Sequence, residues 1–115
     1  MVQVIVVPHF TRQLKLHLKK HRSLKADLIT SLESFDPRLA DKLGHDVYKL
    51  RLRSSSLNKG KSKSFRVIVL AIEINHLLVP ITLYFKGDRD TISKAEINQH
   101  MEIILRELHQ PGIIH

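Results

Sequence analysis

Residues 64–86 hold two strongly apolar runs with little more than a turn of polar chain between them. Val67-Ile68-Val69-Leu70 is apolar on both faces of an extended chain, the pattern of a central strand buried from both sides. A short polar turn at Asn75-His76 leads into the next run, 77–86, which makes 64–72 and 77–86 antiparallel neighbours. Pro80 cannot donate to a sheet ladder, so its strand is at an edge or carries a bulge there. A third run, 47–53, alternates strictly. Tyr48, Leu50 and Leu52 share one face, and Lys49, Arg51 and Arg53 share the other.

The remaining elements arrange themselves around this sheet. Residues 2–7 form a β-branched run closed by Pro8, hence a first strand. Thr11 is then the cap of a first helix carrying Leu14 and Leu18 on one face and a basic stripe of Lys15, Lys19 and Arg22 on the other. Ser23 opens a second helix, with Leu24, Leu28, Ile29, Leu32 and Phe35 at helical spacing, and Asp36-Pro37 ends it. Gly44-His45-Asp46 and residues 87–90 read as turns. Ser93 and Glu96 form a capping box, and the helix behind them sets Ile97, Met101, Ile104, Leu105 and Leu108 on one face before Pro111. The order β-α-α-β-β-β-α predicts an α+β fold, an antiparallel sheet with helices packed on one face. At 115 residues, 43% of them apolar, the chain suits a single domain over 1–115.

Charge narrows the partners. Nineteen Lys and Arg against eleven Asp and Glu leave +8, an excess that folding does not require and that favours an anionic partner. No apolar run approaches a membrane span, and the first ten residues lack the basic start of a signal peptide. The absence of cysteine excludes disulfides and thiolate metal sites and agrees with a cytoplasmic location. Four Phe, two Tyr and no Trp supply few platforms for stacking single-stranded bases.

The cations converge instead. Lys49 and Arg51 share a strand face, Arg66 opens the central strand, and Lys86 ends the next one, two residues after Tyr84. Lys61 and Lys63 belong to the loop above them. A single surface cation is ordinary, but like charges about 7 Å apart along one strand repel unless an anion joins them. No acidic residue is expected on that face to balance them.

The layout resembles the RelE/ParE superfamily of bacterial toxin–antitoxin toxins, and most closely its RelE/HigB-like branch. PHFTRQLK at the first helix, VYKLRL, GKSKSFRVIVL and LYFKGDRDTISKAEI carry the resemblance. Lys49, Arg51, Arg66 and Lys86 fit that branch's basic positions, while Lys63-Ser64 stand where two glycines are usual. The resemblance implies an endoribonuclease that cleaves messenger RNA, commonly on the ribosome, and a cognate antitoxin protein that silences it. It leaves an alternative open, because relatives of the ParE type inhibit DNA gyrase and are not nucleases. A third possibility is an inactive RNA-binding relative.

Metal-independent RNA cleavage needs a base for the ribose 2′-hydroxyl, stabilisation of charge at phosphorus and an acid for the leaving 5′-oxygen. Arg66, with its planar fork, is the first choice for the charge. Lys49 or Lys86 is the candidate base, and Arg51 positions the backbone or protonates the leaving group. Tyr84, Asp88 and His100 compete for the remaining acid–base work. Arg53, Lys61, Lys63, Lys15, Lys19 and Arg22 are candidate RNA contacts, the helix stripe being alternatively an antitoxin-facing surface. No metal or cofactor is expected. Gly60-Lys61-Ser62 is not a phosphate-binding loop, because Ser55 stands where its first glycine belongs. His17 and His21, four apart and surrounded by cations, read as a solvated pair rather than ligands.

Overall fold

The structure, a computed structural model, describes residues 3–52 and 64–109. At its centre β4 (Phe65–Ile72) pairs antiparallel with β5 (Leu77–Phe85), from Phe65 opposite Phe85 to Ile72 opposite Leu77. The register slips once: Thr82 faces Ile68 while Pro80 faces Val69, so Ile81 is an extra residue in β5. Proline thus sits at a bulge, where no ladder donor is demanded of it. Between the strands a single 3-10 turn, Glu73–Asn75, is closed by His76 in the left-handed region at φ 54°.

The third strand of the reading, β3 (Val47–Arg51), pairs antiparallel with β4 over its whole length. Beyond it lies β2 (Asp41–Gly44), an edge strand that the sequence did not announce. DKLG has one large apolar side chain, so its extended form comes from the hydrogen bonds β3 offers rather than from its own propensity. Asp46 makes the tight return at φ 61°. On the other side β1 shrinks to Gln3–Val4 and runs parallel to β5 at Leu77 and Leu78. The sheet is therefore ordered β1-β5-β4-β3-β2, antiparallel except for its first pair.

Helix α1 spans Pro8–Leu18, starting three residues before the expected cap at Thr11. Proline is at home in a first turn, where its missing N–H would be unpaired anyway. The Thr11 hydroxyl instead reaches back to the Val7 carbonyl at 3.5 Å. Helix α2 covers Leu24–Glu33 behind Ser23, with Leu24, Leu28 and Leu32 in the core and Ile29 half exposed. It stops short of Phe35, whose ring stands edge-on to Tyr48 at 5.5 Å. Helix α3 is Lys94–Leu108, and the Ser93 hydroxyl accepts the Glu96 amide at 3.1 Å as the capping box requires. The Glu96 carboxylate turns away to bind both terminal nitrogens of Arg89, at 2.8 and 2.9 Å.

Both α1 and α3 lie against β5, and α1 also touches α2 and α3. Fully buried Phe10, Leu78, Ile81 and Ile104 come from these elements. Each such side chain contributes about 1.5–3 kcal/mol when taken out of water. Past Leu78, β5 has no strand on its outer side among the described residues. There Gln13 of α1 intervenes, its amide nitrogen donating to the Ile81 carbonyl at 3.1 Å and its oxygen accepting the Thr82 hydroxyl.

Candidate active site

The register brings three candidate side chains into one rung. Arg51 faces Arg66 across β3–β4, and Arg66 faces Tyr84 across β4–β5. Directly opposed residues share a sheet face with Cβ atoms about 4.5–5.5 Å apart. The adjacent rung on that face runs Asp41, Lys49, Ile68, Thr82. Lys49 therefore joins the cluster, and so does a carboxylate. The expectation of a face without acid fails because Asp41 enters through β2, the unforeseen strand.

Arg66 is only 7% exposed and has no carboxylate in contact among the described residues. Its Nη1 donates to the Ser64 hydroxyl and, at 3.3 Å, to the Ser64 carbonyl. Nε and Nη2 have no hydrogen-bond partner among the described residues. Burial first, then the neighbouring Arg51 charge, push the guanidinium below its ordinary pKa, with Tyr84 and Asp41 opposing. A buried cation beside an exposed one of the same sign raises the free energy of the site without an anion. Beside them the Tyr84 hydroxyl is buried without a hydrogen-bond partner among the described residues. Unsatisfied donors on adjacent strands are what an anionic ligand would satisfy.

Lys86 follows the end of β5. Its backbone N–H donates to the Ser64 carbonyl at 2.9 Å, and its Nζ donates to the Asp90 carbonyl at 3.3 Å. The lysine thus braces the turn as well as bordering the rung. Gly87 in that turn has no room for a side chain, since a Cβ there would meet the Phe85 ring at 2.3 Å. Arg89, which the sequence reading passed over, places its guanidinium 5.7 Å from the centre of the Tyr84 ring while bound to Glu96. Its signal was available: an arginine seven residues before a capping-box glutamate can tie the turn to the helix start.

Other candidates lie elsewhere. Phe65 and Phe85 alternate with Arg66 and Tyr84 and so point to the opposite face. The rings of His17 and His21 meet Phe65 at 5.1 and 4.9 Å, so α1 covers that opposite face. The exposed Lys15, Lys19 and Arg22 are consequently across the sheet from the arginine rung. The histidine pair is half buried on aromatic rings rather than solvated, and burial followed by His21 lowers the His17 pKa. No group of three or more metal-binding side chains occurs among the described residues. His100 is committed to α1, its Nδ1 2.8 Å from His9 Nε2. Asp88 acts electrostatically on His17. Arg53, Lys61 and Lys63 lie outside the described residues.

Among the described residues no helix is long and apolar enough to cross a membrane. Among curated proteins no relative matches. Solved structures do. The isolated E. coli RelE toxin is 20% identical, with a TM-score of 0.50 over 92% of this chain and 98% of that one. An arginine-to-alanine double mutant of E. coli RelE in the free state is 21% identical, with a TM-score of 0.50 over 90% and 97%. The E. coli RelBE toxin–antitoxin complex is also similar, at 22% identity, a TM-score of 0.48 and coverage of 72% and 94%. These similarities concern the fold. The family model described as the RelE toxin of the RelE/RelB toxin–antitoxin system matches residues 9–109, nearly the whole chain, which belongs to that family.

Proposed function

We propose that this toxin is an endoribonuclease that cleaves messenger RNA on translating ribosomes, without a metal ion, and that a cognate antitoxin silences it in the cytoplasm. The observation that carries the reading is the rung itself: a buried arginine beside a second arginine and a buried phenol, the first without a carboxylate partner and the last without a hydrogen-bond partner among the described residues. Three cations and a phenol share the two rungs with one carboxylate, a poor donor set for a hard divalent ion, which wants several oxygens.

In this mechanism the ribose 2′-oxygen attacks phosphorus and the bond to the 5′-oxygen breaks, giving a cyclic phosphate and a free 5′-hydroxyl. Arg66 donates from Nε and Nη2 to two phosphoryl oxygens as charge builds there. Lys49 takes the 2′-hydroxyl proton. Arg51 holds the neighbouring phosphate, and Tyr84 gives its proton to the departing 5′-oxygen. Tyr84 is preferred over His100 and Asp88 because its hydroxyl lies in the rung and those two are engaged elsewhere. Lys86 borders the substrate path.

An antitoxin fits the chain's charge of +8, and one of the similar solved structures is a toxin–antitoxin complex. The test is cleavage of a ribosome-bound message by purified toxin, mapped by primer extension. Arg66→Ala should abolish it. Undiminished cleavage by that variant overturns the reading.

A further inference from the structure

Ser64 immediately precedes β4 and is only 6% exposed, yet it is polar at both ends. Its hydroxyl and its carbonyl both accept from Arg66 Nη1, and the same carbonyl accepts the Lys86 amide from the end of β5. Packing alone would be served by alanine, and the link to Lys86 needs only the backbone. The hydroxyl is what those two roles leave unexplained.

An arginine side chain has several freely turning bonds, and a guanidinium with no carboxylate to fix it would sample many orientations. Two acceptors on one terminal nitrogen remove that freedom. The edge formed by Nε and Nη2 then faces away from Ser64 as a preset fork for two oxygens. Neither acceptor is charged, so the cation's full charge remains available to a ligand, whereas a carboxylate in the same place would neutralise it.

We infer that Ser64 is a positioning residue, whose hydroxyl sets the Arg66 fork for the phosphate. The inference rests on the active-site reading of Arg66. Ser64→Ala should lower kcat on the order of 10- to 100-fold, since misplacement of a catalytic group by about 1 Å can cost about 100-fold. KM should change little, because the other cations still hold RNA. Ser64→Thr, which keeps the hydroxyl, should restore most of kcat. Adding Ser64→Ala to Arg66→Ala should cost nothing further, because the serine acts through the arginine.

Each failure has its own signature. Wild-type kcat in Ser64→Ala, with Arg66→Ala inactive, overturns the role of Ser64 and leaves the active site standing. So does a rise in kcat, which would mean the serine restrains the arginine. Full cleavage by Arg66→Ala removes the active-site reading and the serine's role together. Should Ser64→Ala fail to fold, Ser64→Cys keeps the volume with a poor acceptor and must show the same loss of kcat.

Discussion

Arg51 and Arg66 stand directly opposite each other on β3 and β4, two guanidinium side chains sharing one rung with no carboxylate in contact with the buried one among the described residues. A folded chain gains nothing by itself from this pairing. Arg66→Ala should therefore leave the fold within about 1 kcal/mol of the parent, as a chemical-denaturation midpoint would report. Cleavage should fall by roughly 100- to 1,000-fold, the usual cost of losing a preorganised donor to developing charge. Arg66→Lys should recover little, because a point charge does not replace a fork.

Tyr84→Phe separates fold from function more sharply. The hydroxyl is buried with no hydrogen-bond partner among the described residues, so removing it should leave stability unchanged or raise it by about 1–2 kcal/mol. The same change should reduce cleavage by about 100-fold if the phenol delivers the leaving-group proton. A variant that is less stable and fully active would count against the acid role.

Asp41 is the carboxylate on the cationic face, opposite Lys49. Asp41→Asn should tighten RNA binding up to about five-fold in low salt, in line with about 1 kcal/mol for an exposed charge. The gain should vanish at high ionic strength. Filter binding across a salt series reads both. Weaker binding by the variant would place Asp41 among the groups that hold the substrate.

Acid should destabilise the packing of α1 against α3 and the sheet. His9, His17 and His100 are all held below the ordinary imidazole value of 6.5, burial being the leading cause in each. His9 is lowered further by His100 and Arg12 against Glu107, His100 by Arg89 against Glu96, and His17 by His21 against Asp88. The unfolded chain thus binds protons at higher pH than the folded one. The stability these neutral rings contribute is complete above about pH 6.5 and drains away as pH falls below it towards the folded values. Urea midpoints at about pH 7.5 and about pH 5.5 should show the drop, and His9→Gln with His100→Gln should blunt it. A pH-independent midpoint would contradict the assignment.

The sheet's centre was readable because β4 and β5 announce themselves through hydrophobicity alone, and the alternation in β3 put Lys49 and Arg51 on one face. What escaped was held by neighbours rather than by local pattern. Asp41 became a site residue only through β2, whose four residues are extended because β3 is beside them. Ser64 reads as the first residue of a strand, and its hold on Arg66 shows only once the chain is folded. Thr11 looked like a helix cap because the threonine is the better capping residue, yet Pro8, with its preset backbone, took the first turn.

Gln13 gives the sheet an ending. Strands left open at their sides recruit other strands, and a toxin made beside many copies of itself would be prone to stacking into fibres. Where β1 stops, one side-chain amide donates to the Ile81 carbonyl and accepts the Thr82 hydroxyl, occupying the edge of β5. Pro80 beside it has no N–H to offer a newcomer. A glutamine in a helix and a proline in a strand close that border of the sheet to another strand.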